Sequence, residues 1–246
     1  MNKRALVISV AGFDLTGGAG VLADVKSFEQ NKVQGMSVIT GNTIQTESEF
    51  LKVDWIEESF IFEQIELLFK NYKFEYIKVG LIPNLNFLSK LVNYAKIRQT
   101  KIIWDPILNT SSGFDFEHDL GLLNELLTNI HLITPNWNEI KVLSKNSDSK
   151  LGVQELARLT NVYLKGGHAN DEVGKDFLYA NNGKIYPFNN RAKYASEKHG
   201  SGCIFSSALT AQLALGLPVV KACLKSKKYI TEVLESNKGL LGYHKR

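Results

Sequence analysis

Short runs rich in valine and isoleucine recur along this chain, separated by stretches whose apolar residues repeat with helical spacing. That alternation is the signature of strands joined by crossover helices, and it restricts the fold to the α/β class. The runs at 5–11, 36–42, 76–81, 101–105, 131–134 and 161–165 are apolar enough to be covered on both faces, which predicts a mainly parallel central sheet between helix layers. Helical stretches fall at 18–30, 57–71, 86–98, 120–128, 136–143 and 153–159, with two closing helices at 203–215 and 218–236. A pair of segments, 174–179 and 184–188, breaks the pattern around Ala180-Asn-Asn-Gly183. Its Asn-Gly step suits a type I′ turn and predicts antiparallel edge strands. No repeat, low-complexity tract or linker interrupts the chain, so residues 1–246 are read as one domain.

Composition closes off several classes. Twenty-nine Lys and Arg against 25 Asp and Glu leave a formal charge of +4, too balanced for a nucleic-acid binder. The only two cysteines, Cys203 and Cys223, make no disulfide framework and suit a reducing cytoplasm. Asn2-Lys3-Arg4 and the apolar run to Val10 look like a leader only superficially, because Asp14 and a glycine cluster stand where cleavage would fall. Residues 203–220 carry no charge, yet Ser206, Ser207, Thr210, Gln212, Gly216 and Pro218 interrupt them, so a core helix is expected there and not a membrane span. The five histidines show no zinc-ligand spacing with the cysteines, and no GxSxG nucleophile elbow occurs.

Candidate chemistry lies where strands end. Ala11-Gly-Phe-Asp-Leu-Thr-Gly-Gly-Ala-Gly20 leaves a strand and enters a helix, so its backbone amides can approach an anionic ligand. It is neither a Walker loop nor a GxGxxG fingerprint, and a simple tight turn is the competing reading. Lys198-His-Gly-Ser-Gly-Cys203 opens the long uncharged helix. Gly200, Ser201 and Gly202 can form a nest of free amides for an oxyanion or a transferring phosphoryl group. Cys203 in that first turn sits in positive potential, which lowers a thiol pKa and favours a proton acceptor; a buried core thiol is the alternative. Lys165-Gly-Gly-His168 places a cation for phosphates at the carboxyl edge of the sheet. Thr134-Pro-Asn-Trp-Asn-Glu139 offers an amide and a carboxylate, Asn136 and Glu139, either for water-mediated Mg²⁺ or as a plain helix cap. Asp105 is a further acid at a strand end.

Taken together these motifs resemble the ribokinase superfamily, and within it the hydroxymethylpyrimidine/phosphomethylpyrimidine kinases of thiamine biosynthesis. The resemblance runs almost end to end: Ala11 through Lys26, Ser37 to Thr40 with Gln45, Lys78-Val-Gly80, Asp105-Pro106, Thr134 to Glu139, Lys165 to His168 and His199 to Cys203, all in the family's order. It implies a three-layer α/β/α fold without a large lid, a homodimer, and ATP with Mg²⁺ as phosphoryl donor to the 5-hydroxymethyl group of the pyrimidine and then to the monophosphate. It also implies residue roles. Cys203 would accept or position the hydroxyl proton, with Gly200, Ser201 and Gly202 around the transferring group. Gly12, Asp24 and Gln45 would contact substrate, Lys165 and Gly167 the nucleotide phosphates, and Asn136 and Glu139 the metal through water. Departures fall at Phe13, Thr46-Glu47, Leu81, Ser111 and Lys198, where relatives commonly carry other residues.

The principal alternative is a pyridoxal or pyridoxine kinase, since members of the branch it resembles can phosphorylate the hydroxymethyl group of a B6 vitamer and Gln45 and Cys203 do not exclude it. A sugar kinase is disfavoured by Cys203 in place of aspartate. A non-catalytic ligand-binding relative is disfavoured by the intact Lys165, Glu139 and Gly200–Cys203 set.

Overall fold

The computed structural model describes residues 4–108, 122–166, 175–189 and 196–244. The chain begins β1 (Leu6–Phe13), α1 (Gly20–Gln30), β2 (Gln34–Gln45), β3 (Phe50–Trp55), α2 (Glu58–Asn71), β4 (Tyr76–Val79), α3 (Leu85–Ile97) and β5 (Lys101–Trp104). It continues through α4 (Leu123–Leu127), β6 (Leu132–Ile133), α5 (Trp137–Ser144), α6 (Ser149–Ala157) and β7 (Asn161–Leu164). It closes with β8 (Asp176–Tyr179), β9 (Ile185–Phe188), α7 (Ser201–Ala214) and α8 (Val219–Leu234). The nine strands described form one sheet in the order β3-β2-β1-β4-β5-β6-β7-β8-β9. The six from β2 to β7 in that order pair in parallel, and β3, β8 and β9 are added antiparallel at the two edges. Strand order reverses at β1 and β4, so the loops after these strands diverge and leave the crevice in which open α/β sheets bind ligands.

Alternation of side chains along the central strands sorts the core into two layers. Ile8, Val10, Ile77, Val79, Ile102, Trp104, Ile133 and Val162 face one way, against α2 to α6. Tyr76, Ile103, Leu132 and Tyr163 face the other, against α7 and α8, while Val7 meets Phe28 of α1. Each fully buried aliphatic side chain contributes about 1.5–3 kcal/mol, and both faces are densely filled. Helix α3 shows how local sequence meets this demand. Asn84 caps it by accepting from the Phe87 amide at 2.8 Å, and Leu88, Leu91, Val92 and Ala95 make one buried stripe. Helix α7 has no solvent face over most of its length, because Cys203 through Leu213 are all buried. Among the described residues no helix is long and apolar enough to cross a membrane.

The structure departs from the sequence expectations in local ways. Strand β3 was not anticipated: Leu51 is 60% exposed and Trp55 36%, so no apolar alternation announces it. It folds back on β2 through a turn closed by Thr46 N donating to Glu49 O at 2.7 Å. Helix α6 starts at Ser149, earlier than expected, because Asp148 accepts from the Lys150 and Leu151 amides. The β8–β9 turn is not type I′. Gly183 alone has a positive φ, +83°, and its amide donates to Ala180 O, giving a type I turn closed by a left-handed glycine.

A wholly buried ion pair lies between the sheet and its inner helix layer. Asp24 of α1 and Lys78 of β4, both wholly buried, lie 2.9 Å apart. Ser9 of β1 and Ser207 of α7 donate to the same carboxylate, at 2.5 and 2.6 Å. Burial alone would lower the Lys78 pKa, but Asp24 foremost, then Cys203 and Asp105, raise it well above the ordinary lysine value. Lys78→Met strands Asp24 without its counter-charge and is expected to cost about 3–5 kcal/mol in urea unfolding. A loss below about 1 kcal/mol would show that the pair does not anchor the fold.

Candidate active site

The first glycine loop is wound around a buried acid. Asp14, 1% exposed, accepts from the Thr16 amide and hydroxyl, each at 2.9 Å, and from the Ala19 amide at 2.7 Å. His199 closes the cluster from the opposite loop, with Nε2 2.9 Å from Asp14 Oδ2. Burial would raise the Asp14 pKa, but His199 and the loop's own hydrogen bonds carry it below the ordinary value. Asp14 is therefore ionised, and His199 Nε2 is the donor. The two loops touch directly: Gly200 has φ +69°, and any β-carbon there would collide with the Gly18 carbonyl oxygen. Sequence reading had singled out neither Asp14 nor His199. Asp14 flanked by glycines and a hydroxyl residue was the available signal, since such acids collect loop amides.

Gly200 is the N-cap of α7, and Ser201, Gly202 and Cys203 are its first three residues. Helix geometry leaves the Gly202 and Cys203 amides without intrahelical partners. The Gly20 amide, at the start of α1, donates to the Cys203 sulfur, so two helix N-termini converge on the thiol. A correction follows. The expected lowering of the Cys203 pKa does not occur; burial pushes it from 9.0 up to about 11, and Asp105 and Asp24 add to the rise against the opposing Lys78. Cys203 is a protonated thiol at neutral pH, not a thiolate.

Facing Gly202 is the second ion pair. Lys165 Nζ donates to Asp105 Oδ1 at 2.9 Å and lies 3.8 Å from Glu139 Oε2. Asp105 also accepts from Thr134 Oγ1 at 2.9 Å and Ser206 Oγ at 3.3 Å. Burial would lift Asp105, but Lys165 and Lys78 hold it below the ordinary carboxylate range. Glu139 goes the other way: burial pushes it from 4.5 up to about 7, more than Lys165 draws it back. Asn136 and Glu139 form a capping box. Asn136 Oδ1 accepts from the Asn138 and Glu139 amides, each at 2.9 Å, and Glu139 Oε2 accepts from the Asn136 amide at 2.7 Å. Asn136 thus spends its oxygen on the helix, while Glu139 Oε1 accepts no hydrogen bond among the described residues.

The remaining expected site residues are placed as follows. Asp24 sits below the site, and its four lone-pair positions are filled by Lys78, Ser9 and Ser207, so it supports the floor and does not line it. Gly12 is the penultimate residue of β1, with the Leu81 side chain packed over the space a β-carbon would take. Gln45 lies at the tip of the β2–β3 hairpin, half-buried, and its carboxamide makes no hydrogen bond among the described residues. Gly167, His168 and Ser111 lie outside the described residues.

A mostly parallel sheet between helix layers, with a cation–acid pair facing a glycine-opened helix N-terminus, defines a phosphotransferase of the ribokinase-like class. The family profile described as phosphomethylpyrimidine kinase matches residues 14–245, and the chain belongs to that family. The hydroxymethylpyrimidine/phosphomethylpyrimidine kinase of Staphylococcus aureus is 31% identical over 94% of this chain and 88% of its own length. Among solved structures, phosphomethylpyrimidine kinase from Clostridium difficile is 28% identical, with a TM-score of 0.79 over 94% of this chain and all of its own. A Bacillus subtilis pyridoxal kinase, solved as an ADP complex, is 26% identical, with a TM-score of 0.82 over 96% of this chain and 93% of its own.

Two measurements test these electrostatics. Because the folded pKa of Glu139 lies above 4.5, the folded protein binds that proton more tightly than the unfolded chain, and the associated stability is lost as pH rises from 4.5 through about 7. Urea midpoints of the wild type should therefore fall over that window relative to Glu139→Gln. Parallel falls in both proteins would refute the shift. Iodoacetamide should leave Cys203 unmodified at neutral pH in the folded protein, and rapid alkylation there would contradict the raised pKa.

Proposed function

We propose that the protein uses ATP to phosphorylate the hydroxymethyl group of 4-amino-5-hydroxymethyl-2-methylpyrimidine, and then the resulting monophosphate, in thiamine biosynthesis. The observation that carries this reading is the thiol of Cys203 under the Gly200–Cys203 amides, opposite Lys165. A polyol-directed site would place a carboxylate there. In this reading the substrate oxygen attacks the γ-phosphorus, the bond to the β-phosphate oxygen breaks and ADP leaves. The transition state is loose, so positioning and charge neutralisation dominate. The free amides of Gly202 and Cys203 face the equatorial oxygens, and Lys165 exchanges part of its contact with Asp105 for phosphate. Cys203, being protonated, orients the hydroxyl and does not remove its proton, which in a loose transition state leaves late, to an oxygen of the transferred phosphoryl group and from there to water. Gln45 offers a donor and an acceptor to the aminopyrimidine edge. Gly12 closes the other side of the ring, and Gly167 joins Lys165 at the phosphates.

The residues present fit Mg²⁺. No group of three metal-ligating side chains exists among the described residues. Mg²⁺ keeps several waters and binds through one or two carboxylates and phosphates. Glu139 would hold it through water with its available oxygen, Asn136 keeping Glu139 in place. Bound there, Mg²⁺ would neutralise charge on the phosphates. The same reading includes a cytoplasmic homodimer, for which the exposed Ile44, Leu51 and Phe60 supply an apolar surface.

The second reading is a kinase for pyridoxal or pyridoxine, favoured by the likeness to the B. subtilis enzyme along nearly the whole chain. ADP release with Mg·ATP should be at least about tenfold higher in kcat/KM for the pyrimidine than for pyridoxal, pyridoxine or ribose. The reverse order would move the activity to the B6 vitamers, and silence on all of them would leave a binding protein. Cys203→Ala should lower kcat by about 10²-fold while nucleotide Kd stays within about twofold. Unchanged kcat would reduce Cys203 to pocket lining.

A further inference from the structure

The approach to α7 is held by a segment far away in sequence. After α8 the chain turns back on itself: Asn237 Nδ2 donates to Leu241 O at 2.9 Å, and the Tyr243 amide donates to Ser236 Oγ at 2.8 Å. This strap lies across residues 196–199. Lys198, 3% exposed, donates from its ammonium to Asn237 O at 2.7 Å and Gly239 O at 2.6 Å. The His199 amide donates to Leu240 O at 2.9 Å. Leu241 reaches the glycine loop itself, where a β-carbon on Gly18 would strike both Leu241 and His199. His244, at the far end, is tied to Tyr229 at 2.7 Å.

Two features separate this arrangement from ordinary packing. Among the described residues, Lys198 forms no ion pair and is held by carbonyl oxygens, a costly way to bury an ammonium when a methionine or leucine would fill the same volume. And the residues it fixes are at the hinge of the site. His199 joins Asp14, Asp14 gathers the Thr16 and Ala19 amides, and Gly200 begins the nest at α7. Rotation of His199 would release both loops at once.

We propose that Lys198 is a positioning residue. By clamping the strap of residues 237–241 against the entry to α7, it fixes His199 and, through the His199–Asp14 bond, the relative placement of the two glycine loops. The activity part of the test rests on the kinase reading above; the exchange part does not.

The experiment compares wild type, Lys198→Met, Lys198→Arg and a chain ending at Ser236, by amide hydrogen exchange and by steady-state kinetics. In Lys198→Met and in the shortened chain, exchange in peptides covering 14–20 and 198–204 should quicken by about tenfold or more, with β4 and β7 at wild-type rates. Turnover of the preferred substrate should fall about tenfold with KM changed less than about threefold, and Lys198→Arg, which keeps two donors for the carbonyls, should recover most of it. Wild-type exchange at 14–20 in both variants would overturn the proposal. So would uniform quickening that includes β4 and β7, because the strap would then be a general stabiliser. If the wild type phosphorylates nothing offered, the functional reading fails, and the exchange comparison still decides the role of Lys198.

Discussion

The Asp24–Lys78 pair is the constraint on which the rest of this architecture hangs. Its four contributing side chains come from β1, α1, β4 and α7, and it ties the central strands to the inner helix layer where all are buried, while the Lys227–Asp176 pair at 2.6 Å joins α8 to β8 nearer the sheet edge. Apolar packing alone tolerates sliding of a helix along a sheet, because dispersion is non-directional. A carboxylate with every lone pair assigned does not. The pair therefore fixes the axial position of α1 and α7, and with it the point where their N-termini converge on Cys203. Hydrophobic residues of equal volume would give comparable stability, but no such registration.

The same logic explains the polar residues inside α7. A helix buried on all sides is expected to be apolar throughout, yet Ser206, Ser207 and Thr210 interrupt it. Ser207 reaches Asp24, Ser206 reaches Asp105, and Thr210 returns its hydroxyl to the Ser206 carbonyl. Two of the three hydroxyls thus bring the helix to the two acids that set the charge of the site. The result is a floor of fixed dipoles and paired ions beneath a rim of free amides, preorganised before any ligand arrives.

Much of this was legible in the sequence because it followed from periodicity. Runs such as Tyr76 to Leu81 and Lys101 to Asp105 had to be central strands, and the glycine loops had to lie at their carboxyl ends. What escaped was of two kinds. Strand β3 is held by backbone pairing to β2 with most of its side chains in solvent, so its sequence carries no alternation. The roles of Asp14, His199 and Lys198 depend on contacts spanning up to 185 residues, which no local pattern encodes. Cys203 shows the opposite failure. Its place in the first turn of a helix was read correctly, though the helix begins two residues earlier than expected, but the helix field was weighed without the burial and the two neighbouring acids that outweigh it.

Charge balance around Lys165 follows from these pairings. Lys78 is committed to Asp24 with no exposed surface, so it contributes field and no contact. Lys165 is divided between Asp105 and Glu139, and 19% of its side chain reaches solvent. With Asp105 ionised and Glu139 poised near neutrality, the unliganded edge is close to electrically neutral and is not a standing trap for anions. On the kinase reading proposed above, an arriving phosphate would compete with Asp105 for Lys165, and each step it gained would favour the charged form of the ammonium and penalise a second anion beside it. Glu139 is then pressed either to keep its proton or to share a cation. On the same reading, a carboxylate held at that threshold would respond to whether a metal accompanies the phosphate, which a fully ionised aspartate in the same place would not do.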